Sequence, residues 1–291
     1  MEPAIQPCDP VALREAVTRA LAEDRAWHDV TTRAVVPTEQ QGDAVLRVRE
    51  PGVVCGLEVA REAFAQLSDE LVFVPLAPDG SAVEADEAIA EVSGPLAPLL
   101  SAERIALNFV QRLSGIATLT RRLVERAAEG GPAQLVDTRK TTPGLRDLER
   151  YAVRVGGARN HRNTLEDGVL IKDNHVAAAA ARGVGVAELV QVARMRAPHT
   201  LRVEVEVSDA AGALVALAAD ADVILLDNMS PEAMRQVVES AERDRVLFEA
   251  SGGITLETVR EVAATGVHLI SSGALTHSAP ALDVALDVEA T

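Results

Sequence analysis

The chain has 291 residues, with 28 lysines and arginines against 44 aspartates and glutamates, a formal charge of −16. So negative a chain repels nucleic acid and anionic membrane, and with aromatic residues at 2 % it has no platform for stacking bases. Hydrophobic residues at 48 % still supply a core for one large domain or two smaller ones, built from Ala, Val, Leu and Ile. Cys8 and Cys55 have neither metal nor redox spacing. The start of the chain has no basic region followed by an apolar run, and no apolar stretch approaches the ~18 residues of a membrane span. A cytoplasmic protein is expected.

Asp9 before Pro10 reads as a helix N-cap with proline at the first helical position. Val11, Leu13, Val17 and Leu21 then form one apolar stripe. Short β-type runs follow at 44–48, 53–55, 71–76 and 88–92, interrupted by a helical segment at 57–67. That texture predicts a small antiparallel sheet in an α/β sandwich. A long helical stretch covers 99–129, with Gly115 as a break or a close-packing point. Beyond it, apolar runs at 134–137, 168–171, 201–207, 222–226, 246–248 and 267–270 alternate with helical segments such as 186–196, 231–243 and 256–265. Nearly all-apolar strands alternating with helices predict a parallel sheet covered by helices. Six units fall short of eight, so an incomplete α/β barrel is expected, with an open doubly wound sheet as the alternative. Residues 282–288 alternate like a strand and are expected to return to the first sheet. The domains read as 1–112, joined by 277–291, and a barrel over 113–276.

Lysine occurs twice, at Lys140 and Lys172, against twenty-six arginines. In so arginine-rich a chain, two lysines mark places where a compact, mobile point charge suits better than a planar fork. Both stand at predicted strand ends, where α/β barrels carry their sites. The first strand runs into Asp137, Thr138, Arg139 and Lys140, and the second into Lys172, Asp173, Asn174 and His175. The third holds Glu204 and Glu206, and the fourth ends in Asp227 and Asn228. The last two end in Ser251-Gly252-Gly253 and Ser271-Ser272-Gly273, where small residues let backbone N–H groups approach a phosphate. Arg139, Lys140, His161, Arg162 and Lys172 would suit a ligand bearing both carboxylates and phosphates. Arg146, Arg150 and Arg154 recur at helical spacing and read as a surface face. Glu204 and Glu206 share a strand face, and with Asp227 offer hard oxygens for Mg²⁺ or for ribose hydroxyls. A lysine at a strand end also fits a Schiff-base aldolase, and the phosphate loops a binding protein without turnover.

The stretches DTRKTTPGLRDLERYAVRVGGARNHR from Asp137 and LIKDNH from Leu170 resemble quinolinate phosphoribosyltransferase. So do SAERIALNFVQRLSGIAT from Ser101, VEVEV from Val203, LLDNM from Leu225, ASGGI from Ala250 and SSGALTHSAPALD from Ser271. Ala158, where a third glycine is common, and His28, before Asp29 where glycine is usual, are small departures. The resemblance implies a type II phosphoribosyltransferase-like fold, a sandwich plus a barrel of fewer than eight strands. It implies quinolinate and 5-phosphoribosyl-1-diphosphate as substrates, Mg²⁺ as cofactor, and a homodimer in which the partner's Arg104 completes the site. Arg139, His161, Arg162 and Lys172 would then hold the diacid, beside Thr138. Lys140 would serve the diphosphate and the reacting centre. Glu206 and Asp227 would take ribose hydroxyls or the metal shell, directly or through water. Ser251–Gly253 and Ser271–Gly273 would cradle the 5-phosphate.

Overall fold

A computed structural model describes residues 6–240 and 245–290. Helix α1 (Pro10–Asp24) starts where the sequence places it: the Asp9 carboxylate accepts the Val11 N–H at 2.8 Å, satisfying one of the helix's orphan donors. Its stripe buries Ala16, Val17 and Leu21, while Val11 is exposed. A short helix α2 (Val30–Val35) follows, capped by Asp29.

Strand β1 (Gln41–Val48) buries every second residue, Gly42, Ala44, Leu46 and Val48. It lies between β5 (Ala88–Pro95) and β12 (Val284–Ala290), antiparallel to both, and β3 (Val72–Pro75) completes the order β12-β1-β5-β3. The predicted return of the last segment is therefore observed, with Leu46 opposite Leu286. A two-stranded ribbon pairs β2 (Gly52–Val53) with β4 (Ala82–Val83). Helix α3 (Leu57–Leu67) buries Leu57, Val59, Ala60, Ala63 and Phe64.

Helix α4 (Leu96–Ala128) is continuous through Gly115. A Cβ there would stand 1.9 Å from the Pro280 carbonyl oxygen, so the glycine marks a close approach of backbone and not a break. Helix α5 (Arg146–Val155) lies against α4. Arg112 bonds Glu149 at 2.7 Å, and Arg121 donates to the Gly156 carbonyl at 3.2 Å. That packing explains why 141–157 groups with 1–121 and 275–291 in one compact unit, although it falls within the span read as barrel. It also corrects the reading of Arg150, which is buried rather than part of a surface face. Arg146 bonds the Thr141 hydroxyl, and Arg154 lies 5.7 Å over the Tyr151 ring.

The second unit, 122–140 with 158–274, holds a six-stranded parallel sheet. Its strands are β6 (Gln134–Val136), β7 (Val169–Ile171), β8 (Val203–Val207), β9 (Val223–Asp227), β10 (Leu247–Ser251) and β11 (Leu269–Ser271), in the order β6-β11-β10-β9-β8-β7. Between them come α6 (Asp173–Ala180), α7 (Val186–Arg196), α8 (Ala210–Ala218), α9 (Pro231–Glu239) and α10 (Val259–Ala263). The expected extension of α9 to residue 243 takes in 241–243, outside the described residues. The predicted 256–265 helix is shorter because hydroxyl turns at Thr255 and Thr258 occupy its start. Val205, Ile224, Leu226, Phe248, Ala250 and Ile270 are fully buried on the helix-covered face, each large one worth about 1.5–3 kcal/mol of burial. Arg159 bridges in parallel to Val136, covering the edge beyond β6. His161, two residues on, touches Glu204 of β8 on the far side of the sheet. The sheet is thus curled into the expected incomplete barrel.

Candidate active site

Alternation along the parallel strands sets which side chains enter the barrel. With Val205, Ile224, Leu226, Phe248 and Ala250 facing the helices, Glu204, Glu206, Asp227, Glu249 and Ser251 face inward. The interior of an α/β barrel is normally filled by branched apolar side chains, so four inward carboxylates are a marked departure.

One of them meets a lysine expected at the strand ends. Lys172 Nζ lies 2.7 Å from Glu206 Oε2. Asp227 accepts the Asn228 amide at 2.8 Å. Asp137, fully buried, accepts the Asn160 amide at 2.7 Å and the His161 backbone N–H at 2.8 Å, tying the end of β6 to the 160–162 corner. Arg162 donates to the Gly168 carbonyl at 2.9 Å. Its pKa is lowered from the usual arginine value by burial and then by the Arg139 charge nearby, while Glu204 and Asp167 oppose the shift. Arg139 Nε is buried without a hydrogen-bond partner. Two guanidiniums close enough to repel, one with an unused donor, make a place that an anion would stabilise. Lys140, exposed, donates its backbone N–H to Thr138 Oγ1 at 3.1 Å.

The glycine-rich end of β10 adopts a backbone conformation that glycine favours. Gly252 and Gly253 have φ of +90° and +61°, the left-handed region that favours glycine. A Cβ on Gly252 would fall 2.2 Å from Asn228 Oδ1. The Asn228 backbone N–H also bonds the Ser251 carbonyl at 2.9 Å, so the β9 and β10 ends are knitted together. Ser271 and Ser272 are buried, and the Ser272 N–H bonds the Val136 carbonyl at 3.1 Å. Arg104 stands on α4 in the other unit, beside a cavity of about 600 Å³ lined by His28, Asp29 and Ser101.

Sequence reasoning passed over Glu249. It is 1 % exposed, and with Glu204 it brackets the His161 ring: Nε2 lies 3.3 Å from Glu204 and 3.5 Å from Glu249. The signal was a lone carboxylate in the apolar run VLFEAS, where the strand extends to Ser251 beyond the expected 248. The three donor atoms are near enough to suggest a metal. However, His161 Nδ1 accepts the Arg162 backbone N–H at 2.7 Å, whereas a metal-bound imidazole uses that nitrogen as a donor. Burial works against charge on His161, but the hydrogen bonds to Glu204 and Glu249 outweigh it and raise the proton affinity of the three groups together. Since Nδ1 is an acceptor, the second proton of the cluster belongs on the Glu204 carboxyl, whose pKa burial raises. A cavity of about 870 Å³ reaches this cluster from the opposite mouth of the barrel, past the strand starts at Gln134, Val223, Leu247 and Leu269. The predicted site residues do not line it, apart from His161, Arg162 and Glu204.

Two family models match the chain: "Quinolinate phosphoribosyl transferase, N-terminal domain" over residues 29–114 and the corresponding C-terminal domain over 116–287. A probable nicotinate-nucleotide pyrophosphorylase [carboxylating] of Bacillus subtilis is 41 % identical over 276 residues, 95 % of this chain and 93 % of that one. A mitochondrial quinolinate phosphoribosyltransferase [decarboxylating] of Nicotiana glauca is 38 % identical over 95 % of this chain and 82 % of its own. The crystal structure of NadC from Streptococcus pyogenes superimposes with a TM-score of 0.92 at 37 % identity, over 98 % of this chain and 99 % of that one.

Proposed function

This chain belongs to the quinolinate phosphoribosyltransferase family, and we propose on that premise that it transfers phosphoribosyl from 5-phosphoribosyl-1-diphosphate to quinolinate with loss of CO₂. The products are nicotinate mononucleotide, diphosphate and CO₂, a step of NAD biosynthesis. The observation that best supports the reading is the gathering of Arg139, Arg162 and Lys172 against inward carboxylates at the barrel's strand ends.

The reaction needs positive charge where diphosphate departs and negative charge near an oxocarbenium-like ribose. The quinolinate nitrogen bonds to ribose C1 as the bond from C1 to the diphosphate oxygen breaks. The carboxylate beside the nitrogen then leaves as CO₂, its electron pair remaining on the ring carbon next to the quaternised nitrogen until a solvent proton replaces it. Arg139, Arg162 and Lys172, together with the partner subunit's Arg104, hold the two carboxylates. Thr138 turns the loop that presents Lys140, and Lys140 reaches the leaving group. Glu206 and Asp227 face the ribose. Backbone N–H groups at Ser251–Gly253 and Ser271–Gly273 take the 5-phosphate. Little acid–base work is required, so the chain's contribution is positioning and desolvation.

The donor set at Glu206 and Asp227 fits Mg²⁺: both offer hard oxygens, and with Glu206 held by Lys172 the ion would keep most of its water. Held there, Mg²⁺ would supply positive charge to the diphosphate leaving group. Among the described residues no helix is long and apolar enough to cross a membrane, and we read the enzyme as cytoplasmic. The direct test is stoichiometric release of CO₂ and diphosphate from quinolinate and phosphoribosyl diphosphate. Diphosphate release with nicotinate in place of quinolinate, or no CO₂, overturns the assignment. The shared site is tested by mixing Arg104→Ala with Lys140→Ala subunits: activity recovers in mixed dimers, and dimers without recovery refute a shared site.

A further inference from the structure

Family resemblance assigns His161 to the diacid, yet both of its ring nitrogens are already engaged by protein. Nδ1 accepts the Arg162 N–H at 2.7 Å, and Nε2 points between Glu204 and Glu249 at 3.3 and 3.5 Å. These lengths suit one N–H shared between two acceptors. Glu204 and Glu249 each retain a buried Oε1 without a hydrogen-bond partner, a costly arrangement in a barrel interior unless it does something. Asp137 grips the same corner from its other side, through the His161 backbone N–H and the Asn160 amide. The next residue is Arg162, whose guanidinium stands near that of Arg139.

We propose that Glu249 and Glu204 are positioning residues that lock the His161 ring inside the barrel, and that His161 acts through Arg162, aligning its guanidinium for the diacid, and not as a ligand of the diacid itself. The inference rests on the function proposed above and departs from the direct role that resemblance gives His161. Two like-charged guanidiniums repel and hold a close arrangement only when anchored, and the 160–162 corner anchors Arg162. Asp137 supplies the backbone half of that anchor, and the Glu204–His161–Glu249 group the side-chain half. Misplacement by about an ångström costs as much as a hundredfold in such sites, so a remote carboxylate can govern substrate affinity.

The test is a double-mutant cycle on quinolinate binding, read by calorimetry on the full-length chain, with KM and kcat measured in parallel. His161→Ala and the near-isosteric Glu249→Gln each weaken quinolinate binding about tenfold, while the KM for phosphoribosyl diphosphate and the kcat hold within about twofold. The double variant is no weaker than either single one, and Glu249→Asp recovers part of the affinity. Additive losses, or a loss at His161→Ala with none at Glu249→Gln, make His161 a direct ligand and overturn the inference. If Glu249→Gln fails to fold, Glu204→Gln enters the same cycle. Wild-type protein that binds no quinolinate refutes the proposed function instead. For that case the ring ¹⁵N shifts of His161 at pH 8 need no substrate: Nε2 carries the proton and Nδ1 does not. A proton on Nδ1 would oppose the Arg162 N–H and refute the lock.

Discussion

Replacing Gly252 by alanine should loosen the grip on phosphoribosyl diphosphate without touching the diacid. Alanine at φ +90° is strained by roughly 1–2 kcal/mol. Its Cβ would also stand 2.2 Å from Asn228 Oδ1, so the Asn228 side chain must swing away. That movement gives up the 2.8 Å bond from the Asn228 amide to Asp227, worth about 1 kcal/mol. Together these amount to about 2–3 kcal/mol, concentrated at the ends of β9 and β10, where the proposed function puts the ribose and its phosphate. At 1.4 kcal/mol per decade, the KM for phosphoribosyl diphosphate should rise by about 30- to 140-fold if the whole cost falls on binding. Steady-state kinetics with each substrate varied in turn provide the assay, and a melting curve accounts for lost folded protein. An unchanged KM for phosphoribosyl diphosphate in a folded variant, or an equal rise for quinolinate, would refute the cradle at this turn.

The alternation of strands and helices was readable because the barrel's outward residues are apolar and face helices, so 223–226 stands out as a continuous run and 203–207 as valines alternating with inward glutamates. The strand ends were readable for the converse reason: a charged or small residue stops each run, and Lys140, Lys172, Asp227 and Gly252 all sit there. Partnership was not readable. Nothing in the spacing says that Lys172 meets Glu206 or that Glu204 meets a histidine 43 positions earlier, because the curvature of the sheet creates those contacts. Gly115 shows the same limit. A helix interior glycine reads equally as a kink or a contact, and only the Pro280 carbonyl at 1.9 Å from a hypothetical Cβ decides. Arg150 was misread because its period matched a solvated face, whereas the helix it belongs to is covered on that side by other elements of its unit.

Gly115→Ala should cost about 3 kcal/mol, since backbone on both sides must part, and melting temperature or urea midpoint would reveal it; an unshifted midpoint would mean that α4 yields easily. Lys140→Arg should lower turnover on the order of 10²-fold with folding unchanged, because a planar fork cannot replace a mobile point charge against diphosphate; near-normal turnover would remove Lys140 from the reacting centre. The Glu204 carboxyl makes a prediction about pH. Burial raises its pKa above the ordinary carboxyl value of 4.5, with the His161 hydrogen bond opposing the shift. A raised value means that folding takes up a proton, so the stabilisation is complete below pH 4.5 and fades as pH climbs through the raised value. Glu204→Gln removes the titrating carboxyl, so above pH 4.5 its melting temperature should fall less steeply with pH than that of the wild type. Parallel slopes would show that the proton is not held on Glu204, and with it would go the electrostatic reason for burying that carboxyl beside a histidine whose Nδ1 is already an acceptor.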